Sequence, residues 1–417
     1  MVSRAVICVA PLRDSRCRAT VTPLRSWIIA ASLFAFACGG APANEVVVRV
    51  RVVDDLDPVV ATAVEDPAEP MCDVEGPDGL AVLDVAIGYG HACAVLSDGR
   101  VRCWGENYNG QLGDGTRGSN ATPSPVRDVE GATAVGAGRM HACAMGSGRV
   151  FCWGSNDYGQ LGAGSRGSGV GPSAQEARVR SAVSLAVGWD HACALTDRGQ
   201  VHCWGKNQLG QLGDGTRELR ERPTPVRALR ATAIGAGVDT TCAVAVDGRV
   251  ACWGGLAMSE RPRFVDGLPA PAVSVDVGEA TACARLVDGS VWCWGDGMHG
   301  LLGSVRGASE VPMRVEGLPP ATSLRVSGNR ACVLGGESEL WCWGANEPGI
   351  EEAASPRTIG HIGAIEGAAV GREATCARLS RGGLCCWGSN QSGLLGALLH
   401  PFQTPPAYAE LPAPMAW

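Results

Sequence analysis

The chain reads as an all-β protein, a seven-bladed β-propeller of four-stranded antiparallel blades, and three observations lead there. A block that closes on Cys-Trp-Gly returns seven times, at Cys103, Cys152, Cys203, Cys252, Cys293, Cys342 and Cys386. Successive returns are 49, 51, 49, 41, 49 and 44 residues apart, the period of a blade that cannot bury both its faces alone. Within each period, short apolar runs alternate with glycine-containing turns, which is the punctuation of strands.

The first complete block, Gly90 to Thr116, shows how each copy is built. An apolar run from Ala92 to Leu96, a turn at Ser97-Asp98-Gly99 and a second run from Val101 to Trp104 describe a hairpin, because glycine tolerates the positive φ that the turn needs. Nine residues separate Cys93 from Cys103; nine recur in five further copies, and eight separate Cys143 from Cys152. Cysteines placed symmetrically about a hairpin turn face each other with Cα atoms about 4.5–5.5 Å apart, within reach of a bridge. The spacing therefore predicts seven disulfides within the blades: Cys93–Cys103, Cys143–Cys152, Cys193–Cys203, Cys242–Cys252, Cys283–Cys293, Cys332–Cys342 and Cys376–Cys386. Two other readings stand beside it. Buried thiols would suit a reducing compartment, and metal ligation would need cysteines in closer pairs than these.

Within one period the runs Val126 to Val129, Ala132 to Val135, His141 to Met145 and Val150 to Trp153 read as the four strands. One period throughout predicts a single ring over residues 70–412, with a short tail at 413–417.

The compartment is argued from the N-terminus. Arg13, Arg16, Arg18 and Arg25 precede an apolar segment, Trp27 to Ala37, that ends in small residues, the pattern of an export signal over residues 1–37. The segment is too short to span a bilayer, which takes about 20 apolar residues. Its end, Ala35-Phe36-Ala37-Cys38, resembles the lipobox of bacterial lipoproteins, with Ala35 standing where Leu or Val is usual. The resemblance implies lipid on Cys38 and a place at the cell envelope, with the outer membrane as the expected site; plain cleavage and secretion is the other outcome of the same signal. Residues 38–69 then read as an acidic tether, carrying Asp54, Asp55, Asp57, Glu65, Asp66 and Glu69. Val46 to Val53 alternates partly like a strand and could instead dock on the body.

Charge excludes one class of partner. The net charge is −7, and removing residues 1–37 takes away five arginines and one acid, a net +4, leaving −11. Lys206 is the single lysine and the chain has no basic run, so nucleic acid, whose phosphates demand clustered cations, is not expected as a partner.

The repeat resembles the regulator of chromosome condensation repeat family, whose members form seven-bladed propellers. The residues that carry the likeness are Val85-Ala86-x-Gly88-x-x-His91, Asp98-Gly99-x-Val101-x-x-Trp104-Gly105 and Asn107-x-x-Gly110-Gln111-Leu112-Gly113-x-Gly115. Cysteine before Trp-Gly and in the His-Ala-Cys strand departs from the common pattern and fits an exported, disulfide-stapled bacterial branch. Ring closure leaves eight edge segments for seven blades. Pro70-Met-Cys-Asp-Val-Glu-Gly76 copies Pro125 to Gly131, while Pro406 to Leu411 holds the same place after the last blade. The N-terminal copy is expected to complete the last blade, with a Cys72–Cys385 bridge locking the closure.

Catalytic chemistry is sparse. His91, His141 and His191 share one repeat position, where a metal or catalytic cluster is imaginable, but Thr240, Thr281, Arg330 and Ala374 fill the same slot later. Gly113-Asp-Gly-Thr116 and Gly213-Asp-Gly-Thr216 are repeat turns without the strand-to-helix context of a nucleotide loop. The expectation is therefore a monomeric scaffold without cofactor or catalysis, touching the membrane only through its lipid and binding a protein or glycan through its loops. Loops that break the pattern are the contact candidates, represented by Ser165, Arg166, Arg180, Arg217, Arg220, Glu347 and Glu351. The resemblance also implies two alternatives: guanine-nucleotide exchange on a small GTPase, as in the family's founding member, and inhibition of a secreted enzyme. No period exceeds 51 residues, which leaves no room for the founding member's inserted wedge. A sialidase-like glycosidase, suggested by Asp-Gly-x-Val-x-Cys-Trp, is disfavoured because only four tyrosines could supply its nucleophile.

Overall fold

The computed structural model describes residues 19–21, 34–36, 79–167, 173–303, 307–336, 338–345, 353–359, 363–395 and 415–416. The chain divides into two units, residues 1–65 and 66–417. In the first, Ala19–Val21 pairs antiparallel with Phe34–Phe36.

The second unit is a ring of seven four-stranded antiparallel sheets. In the first blade, Val82–Ile87 lines the axis, His91–Leu96 and Val101–Gly105 follow outward, and Asn120–Pro125 is the outer edge. The next five blades repeat this order over 134–177, 182–225, 231–264, 272–314 and 323–358. The turn between second and third strands is the one the sequence indicates: Gly99 has φ 79°, and its N–H donates to the Leu96 carbonyl at 2.8 Å. Among the described residues no helix is long and apolar enough to cross a membrane.

Two expectations about strands are corrected. Val126 to Val129 is not a strand: the outer strand is the polar Asn120–Pro125 before it, and Val126 and Val129 are buried plugs between blades. Closure also differs. The fourth strand of the last blade is Met415–Ala416, which the sequence left in a tail, paired with Cys386 and Cys385. The expected N-terminal completion, Pro70 to Gly76, lies outside the described residues. Every blade is thus built from its own stretch of chain, and the ring closes by packing. The Val82 N–H donates to the Gly382 carbonyl at 2.9 Å, and the Ser392 hydroxyl donates to Glu106 at 2.9 Å.

The core lies between blades, where the second-strand and third-strand side chains of one blade meet the inner face of the next. Cys93, Val95, Val101, Leu112 and Val126 of the first blade, for example, pack on Val135, Ala142, Ala144 and Trp153 of the second. In each blade the two cysteines stand directly opposite one another and are joined, with Cα atoms 4.0–4.1 Å apart. Cys385 is also disulfide-bonded, while Cys72 lies outside the described residues.

The loop after Cys-Trp-Gly is the clasp between blades. Asn107 organises it from within: its side-chain carbonyl accepts from the Leu112 N–H at 3.0 Å, and its amide donates to the Gly118 carbonyl at 3.1 Å. Asn207 repeats both bonds. The loop then offers one backbone carbonyl to the tryptophan of the following blade. Trp153 donates to Gln111 at 2.9 Å, Trp204 to Gln160 at 2.8 Å, Trp253 to Gln211 at 2.9 Å and Trp343 to Leu301 at 2.9 Å.

Candidate interaction face at the channel mouth

The seven inner strands surround an axial cavity of about 370 Å³. At one mouth six of the seven inner strands turn back through a Gly-x-x segment, and the residue after that glycine forms the rim: Tyr89, Arg139, Trp189, Val238, Glu279 and Arg372; the sixth blade turns more tightly through Gly328 and Asn329. From the first blade to the sixth these turns are hydrogen-bonded each to the next. The N–H of Tyr89 donates to Gly138 at 3.2 Å, Arg139 to Trp189 at 2.9 Å, Trp189 to Gly237 at 3.1 Å and Glu279 to Gly328 at 2.9 Å. Glycine is required here because a Cβ on Gly138 or Gly237 would collide with the carbonyl of the next blade's turn. The sequence therefore builds a rim whose backbone is fixed and whose side chains are free to vary.

Four consecutive blades present Arg372, Tyr89, Arg139 and Trp189 as one cationic and aromatic arc. The Tyr89 and Trp189 rings meet edge to face at 5.9 Å, a favoured aromatic geometry. The Arg372 guanidinium lies 5.8 Å from the Tyr89 ring centre, within cation–π range. Arg139 faces Asp190 at 3.3 Å, and Lys206 reaches Asp239 at 3.0 Å while standing over Tyr158. Beyond the rim, the loops after Cys-Trp-Gly expose Tyr108 (69%), Met258 (79%) and Met298 (67%), with Leu209 beside them.

Inside the channel, Asp84 accepts from the Val135 N–H at 2.9 Å and Asp276 from the Val326 N–H at 2.8 Å. Each carboxylate thus satisfies a backbone donor on the free edge of the next blade's inner strand. Both side chains keep some access to the channel, but seven blades enclose them, and this burial raises both above the usual carboxylate range, with Arg325 opposing. Burial likewise raises Asp190, against the pull of Arg139.

The three histidines of the shared slot are fully buried between blades. Burial lowers His91 and His191 to about 4 and His141 to about 3, the last helped by its two histidine neighbours. His191 Nε2 lies 2.9 Å from the Thr241 hydroxyl, which itself donates to the Gln211 carbonyl at 2.8 Å. The hydroxyl hydrogen is thereby committed, so His191 is the donor and carries its proton on Nε2. Among the described residues no group of three His, Cys, Asp or Glu side chains is arranged to hold a metal ion.

The pattern-breaking residues lie elsewhere, on the perimeter and in neighbouring-blade clasps. Arg166 faces Glu221 at 3.4 Å and Arg217 pairs with Glu260 at 2.6 Å, each joining one blade's loop to the next blade's outer strand. Arg220 pairs with Asp214 at 2.7 Å within its own blade, and Arg180 lies 3.3 Å from Glu176. The Ser165 carbonyl accepts from Asn156 at 2.9 Å. Glu347 and Glu351 lie outside the described residues. Sequence reasoning missed the rim arc, although it carried a signal: Tyr89, Arg139, Trp189 and Arg372 are variable residues at one fixed offset inside a repeated frame.

A closed ring of seven repeated four-stranded antiparallel blades defines a repeat β-propeller. The chain belongs to the regulator of chromosome condensation (RCC1) repeat family. One model of that repeat matches residues 98–145, 147–195, 198–244 and 288–334, and a second matches 82–111, 132–160 and 182–211. It is similar to the E3 ubiquitin-protein ligase HERC2 of Mus musculus, 28% identical over 175 residues, which are 40% of this chain and only 4% of that protein. Among solved structures it resembles human WBSCR16, with a TM-score of 0.64, 24% identity, and coverage of 70% of this chain and 84% of that one. The structure of Prp20p from Saccharomyces cerevisiae, described with its binding properties to Gsp1p and histones, gives a TM-score of 0.60, 21% identity, and coverage of 69% and 80%.

Proposed function

We propose that this protein is an exported, non-catalytic scaffold that holds another protein against the channel-mouth face. The observation that carries the reading is the rim itself: its backbone is locked from the first blade to the sixth, Tyr89 and Trp189 project from it as aromatic anchors in edge-to-face contact, and Arg372 of the last blade stands over Tyr89. Aromatic and arginine anchors on a preorganised frame are what concentrate binding energy in protein interfaces. A protein partner also accords with the binding to Gsp1p and histones that is described for Prp20p.

Export is supported by the N-terminal signal pattern and by seven cysteine pairs set for bridging in the blades, since such bonds persist in oxidising compartments. On this reading Cys38 becomes the lipidated N-terminus, Cys72 bridges Cys385 and the acidic tether spaces the ring from the membrane. The perimeter loops around Arg166 and Arg217 serve as a secondary contact zone.

The test is intact mass of the native protein with and without reduction, followed by partner capture from the cell surface. Protected blade cysteines, a lipid-sized N-terminal excess, and a captured protein that Tyr89→Ala with Trp189→Ala releases are the expected results. Free thiols on an uncleaved chain would overturn export, and capture indifferent to the double substitution would overturn the face.

A further inference from the structure

The axial cavity carries its charge on one side. The charged residues that line it are Asp84, Asp276 and Arg325 within and Arg372 at the mouth. They come from the first, fifth, sixth and seventh blades, which are adjacent in the closed ring. The second, third and fourth blades contribute no charged side chain to the wall, which is built there from residues such as Ala134, Leu185, Ala186 and Ile234. Register places Asp276 and Arg325 side by side. Asp276 stands opposite Cys283 and Arg325 opposite Cys332, the same rung of neighbouring blades. The other five blades put alanine or glycine on that rung, Gly136 and Gly235 among them.

The acids are held in place by backbone. Asp84 accepts from the Val135 N–H at 2.9 Å, and Asp276 accepts from Val326 at 2.8 Å with one oxygen and from Val277 at 3.0 Å with the other. An ionised carboxylate offers about four lone-pair sites, so both keep room for a further donor. Arg325 donates to the carbonyl of its neighbour Leu324 at 3.2 Å and forms no salt bridge among the described residues. A guanidinium has five N–H donors, and this one is exposed on the cavity wall, so most of its donors are available to a bound molecule.

A lining of two acids and two arginines is formally neutral. An anion entering alone would meet Asp84 and Asp276, and a cation alone would meet Arg325, in an enclosure where water screens the repulsion poorly. A molecule that carries both charges avoids either penalty. We infer that the axial cavity is a binding site for a small zwitterion, an α-amino acid with an apolar side chain, its carboxylate on Arg325, its ammonium on Asp276 and its side chain on the uncharged wall of the second to fourth blades. An α-amino acid bears its two charges on one carbon and so addresses two neighbouring blades at one rung. The volume, about 370 Å³, lies in the range of about 300–1,000 Å³ that holds small ligands. Tyr89, Trp189 and Arg372 line the same cavity, which makes the mouth the way in. The assignment needs no protein partner and stands whether or not the scaffold reading holds.

The test is calorimetric titration of the full folded protein with L-leucine, L-methionine and L-phenylalanine. Each is repeated with its analogue lacking the ammonium and its analogue lacking the carboxylate, which for leucine are 4-methylpentanoate and 3-methylbutylamine. The expected result is saturable binding of at least one amino acid with a dissociation constant of ~1 mM or below, with a matching shift of the Arg325 Nε–H resonance in protein labelled with ¹⁵N-arginine. Both analogues, and the intact amino acid on Arg325→Gln, should bind about tenfold weaker or more, the loss of a charged hydrogen bond. Asp276→Asn should bring the amino acid down to the affinity of its analogue without the ammonium, which decides the matter should Arg325→Gln fail to fold. No saturation by any of the three at ~10 mM overturns the site. Equal binding of the carboxylate-only analogue marks an anion site and overturns the zwitterion. Undiminished binding by a folded Arg325→Gln, or an unchanged preference for the ammonium in Asp276→Asn, overturns the assignment of those residues.

Discussion

The indole N–H of Trp104 donates to the carbonyl of Leu394 at 2.7 Å, across 290 positions of sequence. It is the same bond that each intact loop makes to the blade after it, used once more to join the last blade to the first. With Val82 on Gly382 and Ser392 on Glu106 it seals a ring whose two ends share no strand.

Replacing Trp104 by Phe should therefore weaken the closure. The substitution leaves a buried carbonyl without its donor, a loss of about 1–3 kcal/mol. Equilibrium denaturation should read that loss, and hydrogen exchange should place it in the first and last blades, where Trp153→Phe would show it at the first and second.

The paired cysteines are almost all inaccessible, those of the first blade fully so. Iodoacetamide should not label the reduced-then-diluted native protein at these positions until it is unfolded. Removing one bridge by Cys193→Ala with Cys203→Ala should cost about 2–3 kcal/mol, the closure entropy of a loop of about 10 residues. The cost should vanish when wild type and variant are compared under reducing conditions.

Acid sensitivity follows from the three buried histidines. Their folded pKa values, about 4, 3 and 4 for His91, His141 and His191, lie below the 6.5 of the unfolded chain. Between those limits the unfolded state binds more protons, so stability is full above about pH 6.5 and is lost as pH falls toward 4 and 3. Urea midpoints at pH 7.5, 6, 5 and 4 should fall in order, and His141→Gln should flatten the decline.

Asp276 works in the opposite direction. Its carboxyl is raised by burial, so the folded state holds its proton more tightly than the unfolded one, and that contribution is lost as pH rises from about 3.8 through the folded value. At pH 7 the neutral isostere in Asp276→Asn keeps an acceptor for the Val326 N–H without an enclosed charge. The expected result is a melting temperature equal to or above that of the wild type.

The inner three strands of each blade were legible because they carry what burial demands: Ala-Cys-Ala in the second strand, Cys-Trp-Gly in the third, and an apolar residue at Val82, Val85 and Ile87 in the first. The outer strands were not. Asn120–Pro125 and Arg220–Pro225 have one face on solvent and carry prolines at a sheet edge, so neither alternation nor propensity marks them. The nearest apolar pair, Val126 and Val129, is buried for a different reason, as packing between the first and second blades. The rim arc was hidden by the repeat itself. Tyr89, Arg139 and Trp189 occupy one offset in three blades but are three different residue types, with an arginine between the two aromatics, and only the ring brings Tyr89 and Trp189 to 5.9 Å. Function-like irregularity at Arg217 and Arg220 proved to be spent on neighbouring acids.

Because every blade is a contiguous piece of chain, the order in which residues emerge during synthesis is also an order of assembly. Each blade cysteine meets its partner nine or ten positions later, before the next blade has appeared, so in the first six blades the correct mate is the nearest newcomer; in the last, Cys385 arrives one position before Cys386, the mate of Cys376. The clasp loop follows its own hairpin and waits for a single later tryptophan. Only the first blade must wait for the last, and the residues that release it from waiting, Ser392 to Leu394, come when the six intervening seams already have both their walls.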